Sequence, residues 1–149
     1  MCNKFILLID DNVDDYEAAA RSLRKCDPML ELHWCRTSES ALEWLMERAE
    51  HNELYGIILM DLNMPGTDGR NCIQTIKISP ELHMIPIIVL TTSQDEKEIN
   101  NAYTLGANSY VQKPVGYEEL NTALQGLYDY WFNTARLPRG EADEPDIEA

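Results

Sequence analysis

The chain has 149 residues, 44% of them hydrophobic, which suits one domain with an ordinary core, and no second domain is expected. Its formal net charge of −14 argues against a nucleic-acid-binding surface, because phosphate contacts need clustered Lys and Arg. Cys2, Cys26, Cys35 and Cys72 form no Cys-x-x-Cys pair, so reduced thiols are expected, and the N-terminal apolar run is too short for a signal peptide or membrane span, which points to a cytoplasmic protein.

Phe5-Ile-Leu-Leu-Ile9 reads as a first strand. A helix from about Val13 to Lys25 follows, with Val13, Tyr16, Ala20 and Leu23 inward and Asp27-Pro28 as its stop. Leu30 to Cys35 is strand two. Ser38 is expected to N-cap a second helix, on which Ala41, Leu42, Leu45, Met46 and Ala49 recur at helical spacing. His51 to Tyr55 is the loop into strand three, Ile57 to Met60. Asn63 to Gly69 is dense in turn formers, after which Ile73 and Ile76 mark a third helix halted before Pro80. Ile85 to Leu90 is strand four, entered through Pro86. Helix four begins near Gln94 or Asp95, turns Ile99, Ala102 and Tyr103 to one face and ends at Gly106. Asn108 to Val111 is strand five, and helix five, from about Tyr117 to Phe132, places Leu120, Leu124, Leu127 and Trp131 on one stripe. Residues 1–136 are expected to form the domain and 137–149, rich in acids and carrying Pro138, Gly140 and Pro145, a solvated tail. Strand and helix alternating five times is the pattern of a doubly wound α/β domain.

In such a sheet the C-terminal ends of parallel strands open on one crevice, where ligands bind. Asp10 and Asp11 leave strand one, Asp61 leaves strand three, Thr91 closes strand four and Lys113 follows strand five. Three carboxylates, a hydroxyl and an amine suit a divalent cation and a phosphoryl group. Each alone has an ordinary reading: Asp11 or Asn12 as a helix cap, Asp61 with Pro65-Gly66 as a surface turn, Lys113-Pro114 as a loop. The joint arrangement is what argues for chemistry. His33, His51 and His83 share no metal-ligand spacing and read as surface or core residues, while Tyr103, Trp131 and Phe132 fit in or near the core.

These residues resemble the receiver domain of bacterial two-component response regulators over nearly the whole chain up to Phe132. The resemblance is carried by Asp10-Asp11, by Asp61-Leu-Asn-Met-Pro-Gly66 with Asp68-Gly69, by Thr91 thirty residues after Asp61, and by Lys113-Pro114 twenty-two residues further on. Leu90-Thr-Thr-Ser93, Leu105-Gly-Ala-Asn-Ser-Tyr110, Lys113-Pro-Val115 and Tyr130-Trp-Phe132 are similar to the single-domain regulators that pair with bacterial phytochromes. The resemblance implies a flavodoxin-like (βα)5 fold whose five parallel strands run in the order 2-1-3-4-5. It implies that Asp61 is the phosphoacceptor, served by a histidine kinase, with a bacteriophytochrome as the expected partner. Mg2+ would be held by Asp11, Asp61 and the Asn63 backbone carbonyl, with Asp10 acting through water. Lys113, its bond to Pro114 cis, would pair with one phosphoryl oxygen and Thr91 with another. Asn63 and Ser93 would tune hydrolysis, and Tyr110 would be the switch aromatic that follows Thr91 inward.

The face of helix four, strand five and helix five is then expected to carry the signal. Its aromatic residues Tyr103, Tyr110, Tyr117, Tyr128 and Tyr130, with Trp131 and Phe132, make it a homodimer interface by expectation. An intermediate phosphate carrier in a phosphorelay is an alternative. An aspartate-nucleophile phosphatase is weaker, because that class wants an acid two residues after the nucleophile and Asn63 stands there; a flavodoxin-like cofactor binder conflicts with the acidic crevice.

Overall fold

Strands buried on both faces must be apolar throughout, and three runs of this chain meet that demand. In the computed structural model, which describes residues 4–64 and 69–138, β1 (Phe5–Ile9), β3 (Gly56–Met60) and β4 (Ile87–Thr91) are buried at every position. They form the centre of a parallel sheet whose edges are β2 (Glu31–Cys35) and β5 (Ser109–Gln112), in the order β2-β1-β3-β4-β5. The edge strands are mostly half-buried, and each begins one residue later than its sequence pattern suggests. At β5 the reason is local: Asn108 Oδ1 accepts from the Ile87 amide at 2.9 Å, so this residue splices the strand start to β4 and does not extend the ladder. β4 likewise starts at Ile87, because Pro86 has no N–H to give and only its carbonyl joins the sheet, accepting from Ile58 at 2.9 Å.

Helices α1 (Val13–Cys26), α2 (Ser38–Glu50), α3 (Gly69–Ile78), α4 (Glu96–Leu105) and α5 (Tyr117–Tyr128) connect the strands. Two apolar cores result, one on each sheet face: α1 and α5 close over Ile6, Leu8, Ile57, Leu59, Ile88 and Leu90, while the opposite core gathers Leu7, Ile9, Ile58, Met60, Ile87 and Val89. Truncating a fully buried residue such as Ile58 to Ala would cost about 2–5 kcal/mol.

Several helix details differ from the sequence expectation. The cap of α2 is Thr37, extended at φ −134° and accepting from the Ser40 amide; Ser38 is already helical, where its hydroxyl cannot reach that amide. Val13 is 44% exposed, whereas Tyr16 is half-buried against Trp34 and Ala19, Ala20, Ser22 and Leu23 are buried. Tyr103 is 48% exposed; its hydroxyl accepts the Tyr110 amide at 3.1 Å on the free edge of β5. α4 ends as expected at Gly106, at φ 117°, a conformation an L side chain rarely adopts. α5 stops at Tyr128 and the chain continues in wider π-type turns over Asp129–Thr134, with Trp131 and Phe132 half-buried against the α1/α5 core. No peptide bond among the described residues is cis, Lys113-Pro114 included. A trans bond is the lower-energy form, by about 0.5–1 kcal/mol, and Lys113 reaches the crevice regardless, because its amide is held by the Thr91 carbonyl at 2.6 Å. The residues 65–68 of the expected turn and most of the expected tail lie outside the described residues.

Candidate phosphoryl and cation site

Register delivers the acids. Because β1 pairs with β3 as Ile9 with Met60, the next residues, Asp10 and Asp61, stand side by side, and the Asp61 amide donates to the Ile9 carbonyl at 3.0 Å. Carboxylate oxygens of Asp10, Asp11 and Asp61 all lie within 4.8 Å of one another. Short backbone turns fix two of them: Asp10 Oδ1 accepts from the Asn12 amide and Asp61 Oδ1 from the Asn63 amide, both at 3.0 Å. Asn12, not Asp11, caps α1 by accepting from the Asp15 amide, which leaves the Asp11 carboxylate for the crevice.

Lys113 enters from the end of β5 and is 9% exposed. Its Nζ is 3.0 Å from Asp15 Oδ2, 3.3 Å from Asp10 Oδ2 and 3.7 Å from Asp61 Oδ2. Asp15 was not among the sequence candidates. An acid in the first turn of a helix is ordinary macrodipole chemistry, so nothing local marks it. Thr91 is fully buried, and its Oγ1 accepts from Asn63 Nδ2 at 2.9 Å, which leaves its own proton free to be donated. Ser93 and Tyr110 are joined as well: the Tyr110 hydroxyl donates to the Ser93 carbonyl at 3.0 Å.

Three carboxylates therefore face the Lys113 ammonium, and Asp11 crowds two of them. The electrostatics follow. Burial pushes the Asp10 carboxyl up, and the Asn12 amide and Lys113 do not bring it back. Burial alone would pull Lys113 down, but Asp10, Asp15 and Asp61 outweigh it and hold the ammonium above its ordinary value. The donor set is all oxygen, which suits a hard divalent cation, so the Asp10, Asp11 and Asp61 cluster fits a metal of the Mg2+ or Mn2+ type.

The expected interface aromatics separate. Tyr103 and Tyr130 are exposed, Tyr110 is partly buried, and Tyr128 is 5% exposed, its hydroxyl donating to Asp27 Oδ2 at 2.8 Å; Tyr128 thus belongs to the core between α5 and α1, not to a surface. Tyr117 lies beside Arg21 and Lys25 of α1, with the two cations 5.7 and 5.6 Å from its ring.

A family model, the response regulator receiver domain, matches residues 6–125. Response regulator Rcp1 of Synechocystis sp. is 34% identical over 137 residues, covering 91% of this chain and 93% of its own length. The probable methanogenesis regulatory protein FilR2 of Methanothrix harundinacea is 31% identical over 134 residues, covering 89% and 86%. Among solved structures, the phosphorylated cyanobacterial phytochrome response regulator RcpA is 32% identical and matches with a TM-score of 0.82 over 92% of this chain and 99% of its own. Rcp1, solved in a Mn(2+)-bound form, matches at 0.80 over 91% and 99%. With its strand order, its acidic crevice and these relatives, the chain belongs to the response regulator receiver-domain family and is related to the phytochrome response regulators.

Proposed function

We propose that this chain acts as a cytoplasmic response regulator that takes a phosphoryl group onto Asp61 from a phosphohistidine of a phytochrome-type histidine kinase. The observation that carries the reading is the Lys113 ammonium seated against Asp10, Asp15 and Asp61 at the common exit of β1, β3 and β5. In the transfer, an Asp61 carboxylate oxygen forms the new O–P bond while the N–P bond to the kinase imidazole breaks, the electron pair returning to that nitrogen. Lys113 neutralises a phosphoryl oxygen and the Thr91 hydroxyl, oriented by Asn63, donates to another. Mg2+, held by Asp11, Asp61 and the Asn63 carbonyl with Asp10 behind it, would neutralise charge on the carboxylates and the phosphoryl group; the Mn(2+)-bound form of Rcp1 supports a divalent cation here. Thr91 drawn toward the phosphoryl group loosens the β4–α4 loop, to which Tyr110 is tied through Ser93, and so biases the α4–β5–α5 face. Ser93 and Asn63, beside the acyl phosphate, tune its hydrolysis.

The kinase pairing draws on RcpA, a phytochrome response regulator solved phosphorylated. Asp61→Asn is expected to abolish labelling by a phosphorylated histidine kinase; undiminished labelling of that variant would refute the assignment. Homodimerisation through the α4–β5–α5 face, with Tyr103, Tyr110, Trp131 and Phe132 contributing, belongs to the same proposal. Light scattering before and after acyl-phosphate mimicry tests it, and a monomer in both states at tens of micromolar removes the dimer.

A further inference from the structure

The acidic pair at the exit of β1 is gripped from β2. Trp34 lies opposite Leu8 in the β1–β2 ladder, and its indole Nε1 donates to the Asp10 carbonyl at 2.7 Å, the short end of the range for such bonds. The Asp10 amide donates in turn to the Cys35 carbonyl at 3.1 Å. Residue 10 is thus held at both its backbone groups by the end of one neighbouring strand. One residue on, Arg36 Nη2 donates to the Asp11 carbonyl at 3.3 Å, with its guanidinium carbon 5.1 Å from the centre of the Trp34 ring. Tyr16 of α1 stacks on the same indole, centroids 4.4 Å apart and planes within 5°. The two successive peptides that present the Asp10 and Asp11 carboxylates are therefore clamped by Trp34 and Arg36, and neither clamp belongs to the acidic cluster itself.

We infer that Trp34 and Arg36 are positioning residues for the cation site, holding carboxylates that repel one another in the arrangement a divalent ion needs. The inference rests on the reading that Asp10, Asp11 and Asp61 bind such an ion. Like-charged groups crowded within 4.8 Å relax apart when their backbone is free to move, and whatever disorder they gain must be removed again when the ion binds. Hydrogen-bonding partners behind a metal's ligands typically change its affinity by about 10–100-fold.

Trp34→Phe keeps an aromatic ring against Tyr16 and removes the indole N–H together with the five-membered ring that carries it. Titrating Mg2+ by calorimetry, and Mn2+ by paramagnetic relaxation, is expected to show about tenfold weaker binding than wild type, whatever the lost ring packing does to the cation-free unfolding temperature. Unchanged affinity with lowered cation-free stability would make the indole a packing residue only and overturn the inference. Arg36→Met is the second variant, and its sign is diagnostic. Removing a positive charge beside a cation site strengthens binding by electrostatics alone, so weaker binding comes from lost positioning; equal or tighter binding overturns the role of Arg36. If Trp34→Phe does not fold, the exposed Arg36 decides the matter in the same way. A wild-type protein that binds neither ion refutes the underlying reading of the acidic cluster, a result distinct from equal binding by wild type and variants.

Discussion

In the proposed transfer Asp15 competes with the phosphoryl group for Lys113, and the competition has a measurable size. Its carboxylate lies 3.0 Å from Nζ, whereas the Asp61 oxygen is 3.7 Å away. At 3.0 Å the Coulomb energy is about 5.5 kcal/mol at an effective dielectric of 20 and about 1.4 kcal/mol in water. The Asp15 side chain is 42% exposed, so solvent screening brings its net worth down to about 1 kcal/mol. Asp15→Asn therefore has two opposed effects. It lowers fold stability by about 1 kcal/mol, with Lys113 still paired to Asp10 and Asp61. It also frees the ammonium for an anion on Asp61, which at about 1 kcal/mol means roughly fivefold tighter binding of a phosphoryl mimic. Urea unfolding measures the first effect, and beryllofluoride titration at saturating Mg2+ the second. Affinity that falls together with stability would refute the argument, because Asp15 would then be holding Lys113 ready for the phosphoryl group.

Lys113→Met is expected to destabilise the cation-free protein by about 3 kcal/mol, since it leaves Asp10 and Asp61, each 11% exposed, facing one another without a positive charge; urea midpoints with and without Mg2+ should show the ion restoring part of the loss. At the other end of the sheet, Asp27 joins Lys4 at 3.1 Å and Tyr128 at 2.8 Å. Burial pushes its carboxyl up, but hydrogen bonds from Tyr128, the Met29 amide and Lys4 outweigh it and hold the group below its ordinary value of 3.8. A depressed carboxylate stabilises the fold above its unfolded pKa and loses that contribution as pH falls through the folded value, so wild type should lose stability more steeply than Asp27→Asn below pH about 4; parallel slopes in acid titrations followed by circular dichroism would remove this role.

What could be read from the sequence follows from what each interaction depends on. Phe5–Ile9 and Ile57–Met60 were legible because a strand buried on both faces requires an unbroken apolar run, and an acid directly after such a run must sit at the crevice. The half-buried edge strands carry mixed patterns, so Leu30 and Asn108 were placed in strands that start one residue later. Asp15 and Trp34 were missed for a different reason. The first acts through a residue 98 positions away and the second through an indole N–H aimed at a backbone carbonyl 24 positions away, and neither direction leaves a periodic trace. Tyr128 was misplaced because a tyrosine on an amphipathic helix looks the same whether its hydroxyl meets water or Asp27.

The same considerations separate the crevice from the rest of the fold. Elsewhere half-buried cations are matched: Lys77 Nζ donates to two carbonyls, and Arg48 pairs with Glu31 while lying over the rings of Phe5 and Trp44. At the strand exits the match fails: register brings Asp10 beside Asp61, and Asp11 joins them because Asn12 takes the helix cap. Local rules broken in an otherwise consistent fold mark functional sites. On the proposed reading, the excess negative charge lowers the stability of the cation-free protein and, through the same atoms, supplies affinity for a divalent ion. Asp61→Asn in the absence of divalent ions should accordingly unfold at higher urea than wild type and gain less from added Mg2+, because one substitution removes both the repulsion and the ligand that answers it.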